Sequence, residues 1–247
     1  MRNMNTIVVK GRHGIHIFQD IRSLQWTILK LSEYFSNRDT FNFLASKLLF
    51  KQLKICYFGP SWVKRFDNPI FFRRVGPKRD VLDTAGSLSD GGRFNIGGAQ
   101  TSSRSSATFN GLGGKRSALY LGENRTVVQK EYGDFAMPGS KAITYSIKLK
   151  KRKHIDLIDV TLAINALSKS IPNIKEILGS DSMNGMWVDL KQPTPSQIFG
   201  HWLMAHSPKG TQGIRFPSTR DHKSSNICLY FEDTIGCKKL LKAELVS

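Results

Sequence analysis

The chain has 247 residues, and its 40% hydrophobic fraction is enough for one large domain or for a domain with an extension. Its 37 lysines and arginines against 19 acidic residues give a formal net charge of +18, which favours a polyanionic partner such as nucleic acid, acidic lipid or an acidic protein. A basic surface without any specific partner is the alternative.

No stretch approaches the roughly 18 apolar residues of a membrane span, and the first twenty residues lack the apolar run of a signal peptide, so we expect no membrane association.

The cysteines argue against extracellular or metal-binding chemistry. There are three of them, an odd number, at Cys56, Cys228 and Cys237, and no two are spaced as a metal-binding pair. This usage is typical of a reducing cytoplasm, so a cytoplasmic protein without a metal site is predicted. Cys56 and Cys228 lie among apolar residues, where packing is a more ordinary role than reactivity.

Residues 1–66 are predicted to form a basic, mainly helical N-terminal extension, with eleven basic residues and three acidic ones. Apolar residues at helical spacing predict one helix over residues 21–35 and a second from Asp39 or Thr40 to Ile55. The second helix would carry three lysines on one face, where they would contact phosphates, an acidic partner or only water. These lysines are Lys47, Lys51 and Lys54.

Residues 67–247 are predicted to form the main domain, of the α+β class. Residues 84–117 are rich in Gly, Ser and Thr and are typical of a loop. Strands and helices then follow one another without strict βαβ alternation, which favours a mixed sheet flanked by helices over a doubly wound one. The predicted strands cover residues 143–149, 154–160, 213–216 and 227–231, the last two adjacent, and the predicted helices cover 124–132, 161–178 with a break at Pro172, and 195–204.

Four polar residues are candidates for one pocket that binds a phosphate-bearing, sugar-bearing ligand. Arg93 follows two glycines that allow a ligand to approach its guanidinium, whose planar fork suits a diphosphate. Tyr120 lies in a predicted buried strand and offers a ring for stacking. Glu131 lies at the end of the helix that Asn124 is expected to cap. Ser218 follows a predicted strand and Pro217. Taken singly, each has an ordinary explanation as a turn, core or surface residue.

Together, these segments resemble the RES domain family, named for its Arg, Glu and Ser. The resemblance covers roughly residues 68–233 and places Arg93, Tyr120, Glu131 and Ser218 in the family's order. The chain departs from the usual pattern at Phe94 and Ile96, and 25 positions separate Asn95 from Tyr120. The segments that carry the resemblance are Arg74-Val75, residues 91–95, Leu119-Tyr120-Leu121 with Glu131, Asp156 to Asp159, the block 195–213, and residues 213–218.

The resemblance implies an ADP-ribosyltransferase-like fold that consumes NAD+ as its substrate, without a metal. It implies that Arg93 holds the diphosphate, that Tyr120 packs on the nicotinamide or its ribose, and that Glu131 stabilises positive charge on the ribose. Ser218 would hydrogen-bond the ribose or the nicotinamide amide. Arg74, Gly92 and Asn95 would also belong to the binding site.

The resemblance implies two functional hypotheses, and the basic charge of the chain suggests a third. The first is a bacterial NAD+-degrading toxin, a glycohydrolase or a phosphorylase, that cleaves the nicotinamide–ribose bond and is neutralised by an acidic antitoxin or immunity protein. The second is a mono-ADP-ribosyltransferase that modifies a protein or a nucleic acid. The third is a non-enzymatic protein that binds nucleic acid through the basic residues 1–66, although the chain contains no familiar nucleic-acid-binding module.

Overall fold

The computed structural model describes residues 7–11, 14–18, 38–77, 79–85, 93–94, 117–133, 141–172, 174–179, 193–218, 220–221 and 223–246. Within these residues, helices and strands alternate irregularly around a mixed eight-stranded sheet, so the α+β class is confirmed. The strands are β1 Ile7–Gly11, β2 Gly14–Phe18, β3 Val63–Asp67, β4 Ile70–Val75, β5 Ser117–Gly122, β6 Ile143–Leu149, β7 His154–Asp159, β8 Gly213–Pro217, β9 Ser225–Phe231 and β10 Leu241–Leu245. The helices are α1 Arg38–Leu53, α2 Arg125–Gly133, α3 Val160–Leu167, α4 Ile174–Gly179, α5 Pro195–His206 and α6 Thr234–Leu240.

The large sheet has the strand order β10-β6-β4-β5-β9-β8-β7-β3. Its neighbouring strands are antiparallel except β7 and β8, which run parallel. Strands β1 and β2 form a separate antiparallel hairpin that the sequence pattern did not predict. Strands β5 and β9 are central in the sheet; β5 leads into helix α2, which carries Glu131, and β9 begins after the segment that carries Ser218.

Each face of the sheet has its own hydrophobic core, as the alternation of side chains along a strand requires. On β9, Ile227 and Leu229 join one core, whereas Cys228 and Tyr230 join the other. Helices α1, α3, α4 and α5 cover the second of these faces, which we call the helical face. Trp202 of α5 is 1% exposed and is among its largest buried side chains.

Helix α1 packs into the core of the helical face. Its residues Leu49 and Leu53 are fully buried, and Ser46 donates a 2.7 Å hydrogen bond to the carbonyl of Pro193, just before α5. Strand β3, which follows α1, forms an edge of the large sheet. The second predicted N-terminal helix is thus confirmed, beginning at Arg38, and the division of the chain at residue 66 stays a prediction.

Most of the other predicted elements are confirmed with boundaries within a few residues. The strand at 143–149 is placed as predicted, β8 and β9 are adjacent and antiparallel, and the helix predicted over 161–178 is two helices, α3 and α4. Three strands of the large sheet, β3, β4 and β10, were not predicted. The predicted helix at 21–35 and most of the predicted loop at 84–117 lie outside the described residues.

Candidate active site

The Glu131 carboxylate is held at one oxygen by two side chains that come from distant parts of the chain. Helix α2 begins where predicted, because the Asn124 side-chain oxygen accepts a 2.9 Å hydrogen bond from the Val127 N–H. Glu131 lies in the last turn of this helix and is half-buried. Its Oε1 atom accepts a hydrogen bond from Ser218 Oγ at 2.7 Å and another from Asn226 Nδ2 at 2.7 Å.

Ser218 lies directly after β8, in a tight connection to β9, and is 2% exposed. Its N–H donates to the carbonyl of Ser224 at 3.0 Å, which continues the β8–β9 pairing by one residue. Its hydroxyl oxygen also accepts hydrogen bonds from the backbone N–H groups of Arg220 at 3.1 Å and Asp221 at 3.0 Å. The hydroxyl therefore has one donated and two accepted hydrogen bonds.

The connection between β8 and β9 is fastened to helix α2. Asn124 donates from Nδ2 to Ser224 Oγ at 2.8 Å, and Ser224 in turn donates to the Asp221 carboxylate at 2.9 Å. Lys130, the residue before Glu131, lies 3.6 Å from the same carboxylate. The hydrogen bond from Ser224 is the main cause of a lowered pKa for Asp221, so the carboxylate is charged at neutral pH. These contacts fix Ser218 relative to Glu131.

Tyr120 holds the backbone next to Arg93. Its phenol oxygen accepts a 2.9 Å hydrogen bond from the Phe94 N–H, while Tyr230 donates a 2.6 Å hydrogen bond to the Phe94 carbonyl. Burial raises the pKa of Tyr120 well above its ordinary value, so the side chain is a neutral phenol. The Arg93 guanidinium carbon lies 5.3 Å from the centre of the Phe94 ring and 5.5 Å from that of Phe216, within the range of cation–π attraction.

Helix α5 approaches Phe94 so closely that only glycine fits at the contact. A Cβ atom on Gly200 would lie 2.4 Å from the Phe94 carbonyl oxygen and 2.8 Å from the Tyr230 hydroxyl. Phe94 is also packed against Phe216, with ring centres 4.6 Å apart. Helix α5, β8 and β9 therefore hold Phe94, and with it the position of the Arg93 backbone.

The register of the sheet places several of these residues on its helical face. Tyr120 is paired with Cys228, and Asn226 lies two residues before Cys228 on the same face. On β8, Phe216 lies on that face, directly before Pro217 and Ser218. Two separate contacts involve these residues: the Arg93 guanidinium lies over the Phe216 ring, and Ser218 donates to the Glu131 carboxylate.

Arg74 lies on the same face of the sheet, whereas its neighbour Arg73 lies on the other. Phe72 is paired with Gly122, so Arg74, two residues further along β4, shares the face of Tyr120. Arg73 is half-buried and donates to the carbonyls of Val81 at 2.6 Å and Asp83 at 3.1 Å, and loss of solvation lowers the pKa of its guanidinium. Arg73 therefore serves the fold.

The predicted binding residues Gly92 and Asn95 lie outside the described residues, as does Gly91. For Arg74 the structure gives the face of the sheet described above. The roles predicted for Arg74, Gly92 and Asn95 stay predictions.

Sequence reasoning missed Asn226, which donates to Glu131. The predicted strand began at Ile227, two residues after the observed start at Ser225, so Asn226 was left out of it. The alternation along β9 is the signal that could have found it, because Asn226 shares a face with Cys228 and Tyr230 and yet is polar.

A second missed feature is an ion-pair cluster around Arg215 of β8. Its guanidinium contacts Asp159 at 3.1 Å and Glu123 at 3.1 Å. Asp159 also caps helix α3 by accepting from the Thr161 N–H at 2.9 Å, and Glu123 accepts from the Ser225 N–H at 3.2 Å. The cluster ties β8 to the start of α3 and to the β5–α2 turn, next to the Glu131 site.

Two absences can be stated for the part of the chain that the structure describes. It contains no group of three or more His, Cys, Asp or Glu side chains arranged to hold a metal ion. None of its helices has the length and apolar character needed to cross a membrane.

Comparison with known proteins connects the chain to one family. A model of the RES domain matches residues 71–239. No curated protein matches the chain. A similar solved structure is the crystal structure of the M. tuberculosis MbcT–MbcA toxin–antitoxin complex, with a TM-score of 0.47 and 16% sequence identity over 81% of this chain and 92% of that chain.

Proposed function

Because the chain belongs to the RES domain family, as the match over residues 71–239 establishes, we propose that it is a toxin that degrades NAD+. The observation that carries the proposal is the Glu131 carboxylate, which accepts two hydrogen bonds of 2.7 Å each, from Ser218 and Asn226. Asn226 lies on the sheet face that also bears Tyr120 and Phe216. A carboxylate in such a place is suited to stabilise positive charge on a sugar.

The proposed reaction breaks the bond between the ribose C1′ atom and the nicotinamide nitrogen. The bonding electron pair leaves with nicotinamide, which departs as a neutral molecule, and positive charge develops on C1′ and the ring oxygen. Glu131 stabilises this oxocarbenium-like state. A water molecule then forms a new bond to C1′ and releases one proton, giving ADP-ribose. Nicotinamide is a good leaving group, so the step requires no general acid.

The remaining residues would bind and orient the dinucleotide. Arg93, with its guanidinium over the rings of Phe94 and Phe216, would hold the diphosphate. Tyr120 would pack on the nicotinamide or its ribose. Its buried phenol stays uncharged, because burial raises its pKa. Arg74 on the same sheet face would supply a further phosphate contact, and Gly92 and Asn95 would complete the binding loop.

Release of nicotinamide from NAD+ by the pure, full-length protein tests the proposal. We expect turnover by the wild type and at least a 100-fold loss in Glu131→Ala, since a group that acts only on the transition state typically contributes about that much or more. Glu244→Ala is the matched control, because Glu244 is a half-exposed carboxylate on β10 that pairs with Lys148 and Lys242. Absence of turnover by the wild type, or equal turnover by Glu131→Ala, would contradict the proposal.

The acceptor of the ADP-ribose is a separate question. Water is proposed here, and phosphate or a macromolecule would use the same bond cleavage. Incubation with labelled NAD+ and a bacterial extract separates these outcomes, because transfer leaves the label on protein or nucleic acid while hydrolysis leaves it on free ADP-ribose.

An inhibitory antitoxin is part of the proposal. The net charge of +18 favours an acidic docking surface on such a partner. Their complex should weaken as salt is added, since attraction between exposed charges is screened within about 10 Å at 0.1 M salt. An affinity for the antitoxin that does not change with salt would indicate an apolar interface instead.

A further inference from the structure

The hydroxyl of Ser218 has no hydrogen-bonding capacity left for a ligand. A serine hydroxyl has one proton to donate and two lone pairs that accept. The proton is donated to Glu131 Oε1, and the oxygen accepts from the N–H groups of Arg220 and Asp221. The side chain is also 2% exposed, so a substrate would have to break an existing contact to reach it.

The two oxygens of the Glu131 carboxylate have different surroundings. Oε1 accepts from Ser218 and from Asn226, each at 2.7 Å, a length typical of strong hydrogen bonds to a charged acceptor. Among the residues that the structure describes, no hydrogen bond reaches Oε2. A carboxylate offers about four lone pairs, so Oε2 keeps its capacity for a ligand.

We infer that Ser218 and Asn226 are positioning residues that hold Oε1 of Glu131 and leave Oε2 as the oxygen that faces the reacting sugar. This inference rests on the proposed function and changes one role within it, because Ser218 then acts through Glu131 and does not contact the ribose or the nicotinamide. Two donors on one oxygen fix the rotation of the carboxylate plane, which a single donor would leave free to turn.

The connection between β8 and β9 supports this rigidity. Ser218 is placed by backbone hydrogen bonds within its own turn, and the turn is fastened to α2 through Asp221 and Ser224. Asn226 is placed by the β5–β9 pairing, opposite Gly122. The two donors therefore come from elements that pack with α2 and do not need a substrate to bring them together.

Steady-state kinetics of the full-length protein with NAD+ separate a positioning role from substrate contact. For Ser218→Ala and Asn226→Ala we expect kcat to fall about 10- to 100-fold, because a displaced catalytic group costs about this much, while KM stays within about twofold. Binding of ADP-ribose, followed by calorimetry, should change equally little. In the double variant, kcat should fall by less than the product of the two single-variant factors, because both donors act on one oxygen.

Two further variants keep the result interpretable. Ser218→Thr retains the hydroxyl and should keep kcat closer to wild type than Ser218→Ala does. Ser117→Ala is the matched control, since Ser117 is another fully buried serine, at the far end of β5, whose hydroxyl donates to the Phe231 carbonyl at 3.3 Å. If Ser218→Ala does not fold, Asn226→Ala carries the same test.

Either of two results would overturn the inference. A 10-fold or larger rise in KM and in the dissociation constant of ADP-ribose, with kcat preserved in Ser218→Ala, would show that the hydroxyl contacts substrate. Unchanged kcat in both alanine variants would show that neither donor matters.

A measurement that does not depend on enzymatic activity, the NMR chemical shift of the Glu131 carboxylate, separates this inference from the proposed function. The carboxylate carbon of Glu131, labelled with ¹³C and assigned by its absence in Glu131→Gln, should shift in Ser218→Ala and Asn226→Ala and stay in place in Ser117→Ala. If the wild type neither cleaves NAD+ nor binds ADP-ribose, the proposed function fails, and the resonance still decides whether the two donors hold the carboxylate. An unmoved resonance overturns the inference.

Discussion

The phenol oxygen of Tyr120 accepts a 2.9 Å hydrogen bond from the backbone N–H of Phe94, 26 positions earlier in the chain. This bond joins the central strand β5 to the residue that directly follows Arg93. Tyr120 therefore has a structural task in addition to the ligand contact proposed for its ring, because it fixes the backbone from which the Arg93 side chain extends.

Removal of this phenol oxygen should affect both stability and substrate binding. In Tyr120→Phe the Phe94 N–H loses its acceptor in a buried place, which should lower the free energy of unfolding by about 1–3 kcal/mol. Because Arg93 is proposed to hold the diphosphate, KM for NAD+ should rise. Urea unfolding and steady-state kinetics measure the two effects.

Tyr57→Phe is the control for this prediction, since Tyr57 is 92% exposed and should tolerate the change. Equal KM values for Tyr120→Phe and the wild type would mean that the Phe94 backbone does not depend on this bond.

Gly200→Ala should disturb the site through helix α5. The added Cβ would lie 2.4 Å from the Phe94 carbonyl oxygen, so either α5 or the Phe94 backbone has to move. We expect a loss of about 1–3 kcal/mol in the free energy of unfolding, as for other overpacked interiors, together with reduced turnover.

Gly236→Ala in helix α6 serves as the comparison, because its Cβ would meet nothing closer than 3.4 Å. Alanine is the better helix former, so this variant should be neutral or more stable by up to about 1 kcal/mol. A Gly200→Ala protein as stable as Gly236→Ala would show that the α5 contact is looser than described.

Arg215→Met should weaken the attachment of β8. The substitution keeps much of the side-chain volume but leaves Asp159 and Glu123 without their shared cation, so the free energy of unfolding should fall by about 1–3 kcal/mol. Thermal unfolding at low and high salt measures the change, and added salt should reduce the difference from wild type.

Arg65→Met tests whether any lost ion pair has the same effect. Arg65 also contacts a carboxylate, that of Asp156 at 3.1 Å, but its side chain is 60% exposed, and exposed pairs contribute little. We expect no measurable change in unfolding. Similar losses in Arg65→Met and Arg215→Met would refute a special role for the Arg215 cluster.

The two buried thiols should make the protein less stable at alkaline pH. Burial raises the pKa of Cys228 to about 12 and that of Cys237 to about 11. Because the folded state keeps these protons while the unfolded chain releases them, stability is complete below about pH 9 and falls as the pH rises from there towards these two values. Each thiol should add a slope of about 1.4 kcal/mol per pH unit within its window.

Urea unfolding between pH 7 and 11 checks this prediction. Cys228→Ala has one titrating thiol fewer and should show a shallower fall in stability with pH than the wild type. Identical slopes for the two proteins would mean that Cys228 does not keep its proton in the folded state.

The sequence by itself determined the local elements and the identities of the candidate residues. Apolar periodicity and capping located α1, α2 and α5, and Asn124 was recognised as a cap because an N-cap interaction spans only three residues. The order of Arg93, Tyr120, Glu131 and Ser218 carried the family resemblance, which the match over residues 71–239 confirms. Such helices, caps and motifs can be predicted from the sequence because each depends on residues that are close together in the chain.

Only the tertiary structure decided how those residues work together. The pairing of β5 with β9 places Asn226 beside Glu131, although 95 positions separate them, and no local pattern encodes that contact. The structure also shows that the Ser218 hydroxyl, expected to bind substrate, donates its one proton to the Glu131 carboxylate. Strand pairing brings distant residues together through backbone hydrogen bonds, which leave no trace in side-chain periodicity.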